Sequence, residues 1–136
     1  MQNFFFIRMD GKYVKLCFNE ILYAEGSKNY TKIITESRQY LVLITMKRLE
    51  QLLPVGLFAR IHKSFIVSLE KIVQFNKENV WLKDKELPVG NLYRSGLEKS
   101  VIIFDDAVEL EEEVKPYYVL KLTKDETQKI KRIAAR

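Results

Sequence analysis

The block Phe58-Ala59-Arg60-Ile61-His62-Lys63-Ser64-Phe65-Ile66-Val67 sets four polar side chains among aromatic and aliphatic ones. Two readings fit it. In one it is a core strand whose polar residues face water, with His62 hydrogen-bonded to backbone. In the other a turn presents Lys63 and Ser64 to a phosphate or a base edge. Other reactive groups are scarce. His62 is the only histidine and Cys17 the only cysteine, which excludes a two-histidine metal site, a cysteine-based zinc site and an intrachain disulfide. The 5 glycines are scattered, so no glycine-rich loop is available to cradle phosphate. No serine stands in a nucleophile-elbow motif. Enzyme chemistry is therefore the weak reading, and no cofactor is called for.

Charge says more. Residues 1–104 hold 16 Lys and Arg against 10 Asp and Glu. Residues 105–113 carry 6 acidic residues and no basic one, and residues 114–136 hold 7 basic against 2 acidic. The net charge of +5 thus hides an acidic block between two basic segments. A basic domain points to nucleic acid, or less often to an anionic membrane surface. No apolar run approaches the roughly 18–20 residues that cross a bilayer. The N-terminus lacks a basic region followed by a small-residue cleavage site, so no signal peptide is expected. A lone cysteine fits a reducing cytoplasm.

The elements that must position these groups are mostly strands. Asp10-Gly11 is a hairpin dipeptide between an apolar run, Phe4 to Met9, and an alternating strand with Val14, Leu16 and Phe18 on one face. A small buried thiol is the expectation for Cys17. Ile21 to Ala24, Tyr30 to Thr35 and Gln39 to Leu43 follow, broken by Gly26 to Asn29 and by Glu36 to Arg38. A helix begins after Thr45, whose hydroxyl can cap it; Met46, Leu49, Leu52 and Leu53 recur at helical spacing, and Pro54 with Gly56 ends it. Phe58 to Leu69 divides into strand, turn and strand. Ile72 to Phe75, Val80 to Lys83 and Glu86 to Val89 are further short strands, with Trp81 expected in the core. Leu92, Gly96 and Leu97 suggest a last short helix packed on the body.

Residues 105–136 read as an appendage to a domain spanning 1–104. After the acidic block, Tyr117 to Leu122 reads as a half-buried strand. Thr123 with Glu126 forms a capping box for a basic helix carrying Ile130 and Ile133. That strand and helix need a neighbour. They could dock on the domain, pair with a second chain, or let the acidic block compete with an anionic ligand for the basic loops.

Four segments in order resemble the LytTR-type DNA-binding domain. They are Ile21 to Tyr30, Met46-Lys47-Arg48-Leu49, the Phe58 to Val67 block, and Leu87-Pro88-Val89-Gly90 with Tyr93. The resemblance covers residues 4–99 and none of 105–136. It implies a mainly β fold, with antiparallel strands in small packed sheets and one short helix, to which the segment after the acidic block adds a C-terminal strand-and-helix extension. It also implies an output domain of bacterial response regulators that touches successive major grooves of double-stranded DNA with loops. Carried over residue by residue, it nominates Lys28, Asn29 and Tyr30, then Lys63 with Ser64, then Asn91, Tyr93 and Arg94. Arg48 is a candidate phosphate contact or a solvated helix charge. Lysine or arginine can pair with guanine, and asparagine with adenine, while Tyr30 and Tyr93 can bond phosphate oxygens.

His62 is expected to be structural, with its ring inward. A receiver domain cannot also fit in 136 residues, so the chain is read as a stand-alone regulator or the output part of a longer protein. The function expected is sequence-specific duplex DNA binding in bacterial transcription, in the cytoplasm, with a homodimer on adjacent half-sites as one use of the tail and no membrane partner. The alternative is a β-rich protein-interaction module or a single-stranded nucleic-acid binder.

Overall fold

A computed structural model describes residues 2–105 and 107–110. The chain divides into two units, Met1–Val101 and Ile102–Arg136. Of the second, the described residues 102–105 and 107–110 have no regular secondary structure. The strand expected over Tyr117 to Leu122 and the helix after Thr123 lie outside the described residues.

The first unit is built from tight hairpins. Strands β1 (Phe4–Met9) and β2 (Lys12–Cys17) pair antiparallel, with Met9 opposite Lys12. The two residues between them, Asp10 and Gly11, have φ of 52° and 72°. A two-residue turn of this kind needs left-handed backbone at both positions, which glycine and aspartate tolerate best. Strand β3 (Ile21–Ser27) turns through Lys28-Asn29 into β4 (Tyr30–Thr35), and β5 (Gln39–Val42) pairs with β4 in turn. Thr35 closes that second connection, its hydroxyl donating to the Arg38 carbonyl at 2.9 Å.

Helix α1 (Met46–Leu52) starts where its cap predicts, since Thr45 Oγ1 accepts from the Arg48 N–H at 3.1 Å. It buries Met46 and Leu49 and ends before Pro54. Strands β6 (Phe58–His62) and β7 (Phe65–Ser68) form the next hairpin. Strands β8 (Gln74–Phe75), β9 (Asn79–Leu82) and β10 (Lys85–Pro88) form a meander. A 3-10 turn at Asn91–Tyr93 leads into α2 (Arg94–Lys99).

The five-stranded sheet has the order β5-β4-β3-β7-β6, so its centre joins β3 to β7, which are distant in sequence. Strand alternation gives it two faces. Ala24 and Ile66 point toward α1, packing with Met46, Leu49 and Leu53. Ala59, Ile61 and Val67 point the other way, against Val80, Leu82 and Leu87 of the meander and Leu97 of α2. A third cluster of Leu16, Ile21 and Ile33 ties the N-terminal hairpin to the sheet.

The last short helix forms as expected and is anchored by Leu97, which is 1% exposed, whereas Leu92 stands in solvent. Two expectations need correction. Trp81 is half-buried instead of core, because Val80 and Leu82 take the inward positions of β9 and leave it on the other face. Cys17 is likewise half-buried.

Candidate nucleic-acid interface

Backbone hydrogen bonds gather three turns at one end of the large sheet. The Gly26 N–H donates to the Ser64 carbonyl at 2.8 Å, which sets the β3–β4 turn beside the β6–β7 turn. The Gly90 N–H donates to the Ile61 carbonyl at 2.7 Å, and the Tyr93 N–H to the Gly90 carbonyl at 2.9 Å. These bonds bring the Asn91–Tyr93 turn alongside the end of β6. A cleft lined by Tyr30, Lys32, Leu41, His62, Ser64 and Phe65 runs between the first two turns.

Arg60 holds the middle turn. Its side chain is 19% exposed, and Nε donates to the His62 carbonyl at 3.3 Å while Nη2 donates to the Lys63 carbonyl at 2.5 Å. Nη1 lies 3.8 Å from Glu50 Oε2 on α1, and the guanidinium sits 5.7 Å from the centre of the Tyr93 ring. One planar cation thus links helix, turn and 3-10 turn, which lysine's point charge cannot do with the same geometry. His62 adds a further tie. Its Nδ1 accepts from the Ser64 N–H at 3.0 Å, and its half-buried ring packs on Phe65 with centroids 5.6 Å apart. Lys63 is left exposed at the tip.

The nominated residues fall into three groups. Lys28, Asn29, Lys63 and Asn91 are exposed on the gathered turns, and Tyr30 at 46% exposure adjoins them. Lys28 adopts φ of 51°, a left-handed conformation that costs a lysine about 1 kcal/mol and recurs at functional turns.

Ser64, Tyr93 and Arg94 share the same end but are half-buried and partly committed to the protein. Ser64 uses both backbone groups in the bonds above, and Tyr93 lies against Arg60. Arg94 Nε donates to the Lys77 carbonyl at 2.6 Å, fixing the start of α2 to the β8–β9 turn. Arg48 stands apart. It is exposed on α1 and reaches Gln51 Oε1 at 3.5 Å, and no contact among the described residues joins it to the turns.

Two features of the site were not read from sequence. Arg60 carries no functional signal in the sequence beyond its place between the inward-facing Ala59 and Ile61, which sets it on the opposite face of β6, toward α1. Gly26 reads in sequence as a strand breaker opening a candidate loop, with no sign of what packs against it. A Cβ there would run into the Met46 side chain, with Sδ only 2.8 Å away, so the glycine lets α1 begin directly over the β3 terminus. Gly26→Ala is therefore expected to destabilise the unit by about 1–3 kcal/mol in urea denaturation, because Met46 is buried and has little room to move.

The remaining chemistry is quiet. A hydrogen bond with Glu20 and desolvation push the Cys17 thiol up from its ordinary value, keeping it protonated and poorly nucleophilic. Among the described residues no cluster of His, Cys, Asp and Glu could hold a metal ion. None of their helices is long and apolar enough to cross a membrane.

Comparison with solved structures finds the LytTr DNA-binding domain of a methyl-accepting/DNA response regulator from Bacillus cereus. That domain is 21% identical and superposes with a TM-score of 0.63 over 74% of this chain and 97% of its own. No curated protein matches the chain. The two chains thus share a fold. The family model of the LytTr DNA-binding domain matches residues 11–102, the greater part of the sequence, and the chain belongs to that family.

Proposed function

We propose that the chain binds duplex DNA at specific sequences as a transcriptional regulator, with its three turns entering the major groove. The observation that carries this reading is the pair of backbone bonds, Gly26 to Ser64 and Gly90 to Ile61, that hold three turns at one end of a sheet. The turns are Ser27 to Tyr30, Lys63-Ser64 and Asn91 to Arg94; they bring Lys28, Lys63 and Arg94 together with no acidic residue in any of them. The helices are poor alternatives. Seven residues of α1 span only about 10 Å, and its apolar side is already buried in the domain.

Each turn offers its own chemistry. Lys28 and Lys63 can reach guanine O6 and N7, and Asn29 and Asn91 can pair with adenine N6 and N7. Tyr30, Ser64 and Tyr93 suit phosphate oxygens, which fix the register without reading sequence. Arg94 can serve either purpose with the fork atoms left free by Lys77. Arg48, set away from the turns, acts on a flanking phosphate.

Such a domain serves as the DNA-binding output of a two-component system, working in the bacterial cytoplasm where the chromosome lies. Two copies on adjacent half-sites would double the contacted length. Selection of bound sites from a random duplex library tests this reading. A recovered consensus, bound far more tightly than random duplex and not competed by single strands, supports it. Equal binding to selected and random DNA at every salt concentration overturns it.

A further inference from the structure

We infer that Leu92 reads the C5 methyl group of a thymine, and so makes the third turn selective for an A·T-containing step. The inference rests on the major-groove reading above. Leu92 is 92% exposed, although it lies between Asn91 and Tyr93 in a turn tied to the large sheet at both ends. Gly90 is bonded to Ile61 on one side, and on the other the Tyr93 ring lies against the Arg60 guanidinium. Between these two ties the leucine stands in solvent, and it is Leu97 that packs into the core beneath α2.

Exposed aliphatic residues are common on protein surfaces and need no explanation when scattered. Leu92 differs by its neighbours, since candidate DNA-contacting side chains flank it on both sides. A turn that enters the major groove meets phosphate oxygens, base-edge donors and acceptors, and one apolar group, the thymine methyl. A leucine side chain has nothing to offer the first three. Against the methyl it can exclude water from both partners. Asn91 beside it is suited to the adenine N6 and N7 edge, so the two side chains favour neighbouring A·T pairs.

The test uses the full chain on its selected duplex, with each thymine replaced in turn by deoxyuridine. That change removes the methyl and keeps the base pair. At one position per bound unit, affinity should fall about fourfold, the value of one buried methyl-sized group. Leu92→Ala should lose about the same on the thymine duplex and should no longer distinguish thymine from uridine there. Its melting temperature should match the unmodified chain, since the side chain packs on nothing.

Indifference to uridine at every position of a site that is still selected and bound overturns the assignment alone. So does a Leu92→Ala variant that retains the full thymine preference. If no duplex is selected over random DNA, the sequence-specific reading falls, and this assignment with it.

Discussion

Affinity for the selected duplex should fall about a thousandfold as salt rises from 50 to 200 mM, if one bound unit neutralises about 6 phosphates. The expectation comes from where the cations stand. Lys28, Lys63, Lys47 and Arg48 are all exposed, and Lys32 and Lys77 are exposed beside the cleft and beside Arg94. Each such side chain that settles on a phosphate displaces condensed counterions, and the entropy of their release weakens as bulk salt rises. A double-logarithmic plot of binding constant against salt, taken from gel-shift or anisotropy titrations, should have a slope near −5. A slope shallower than about −2 would mean that the exposed cations do not face DNA, and would overturn the proposed orientation.

The second large effect separates base reading from charge. Lys63→Ala should weaken the selected site by about 1–3 kcal/mol, roughly fivefold to more than a hundredfold, and relax preference at a single base pair. Random duplex should lose much less. Arg48→Ala should instead weaken selected and random DNA alike and flatten the salt slope by about one unit.

The contrast follows from placement. Lys63 is held at the tip of a turn whose carbonyls are fixed by Arg60, while the Arg48 side chain reaches Gln51 on its own helix and, among the described residues, none of the turns. Both side chains are exposed, so both variants should melt as the unmodified chain does, and any loss of binding can be read as contact energy. Unchanged affinity and preference in a stably folded Lys63→Ala would retire its role as a reader.

Local chemistry made much of the fold legible. Asp10-Gly11 announces its own turn, Thr45 its own helix start, and the polar interruptions at Lys28-Asn29 and Glu36 to Arg38 fall at hairpin ends. What could not be read was what lies side by side. Nothing near Ile21 to Ser27 signals that its second neighbour is Phe65 to Ser68, because that pairing is decided by burying Ala24 and Ile66 beneath α1.

The same holds for the site. The exposed candidates carry a compositional signal, and the LytTR-like motifs point to their loops. Arg60 looks like any strand arginine until the turn carbonyls, Glu50 and the Tyr93 ring converge on it. Leu92 and Leu97 look alike as apolar residues near a helix. The 3-10 turn at Asn91–Tyr93 shifts the helical phase, so that one points into water and the other into the core.

The central pairing of β3 with β7 has a kinetic consequence. Each of the first two turns closes within its own hairpin, a fast and local event. Setting them side by side requires residues on the order of forty positions apart to meet, and loop closure over that span costs about 3 kcal/mol beyond a constant before any contact repays it. The end of the sheet where the turns gather is thus a late product of folding, completed only when the large sheet locks at its centre. On the ribosome, the first turn emerges well before β7 does, and it has no partner surface until Phe65 to Ser68 has left the exit tunnel. A nascent chain therefore presents the first turn for a time without the neighbour that later sets its position.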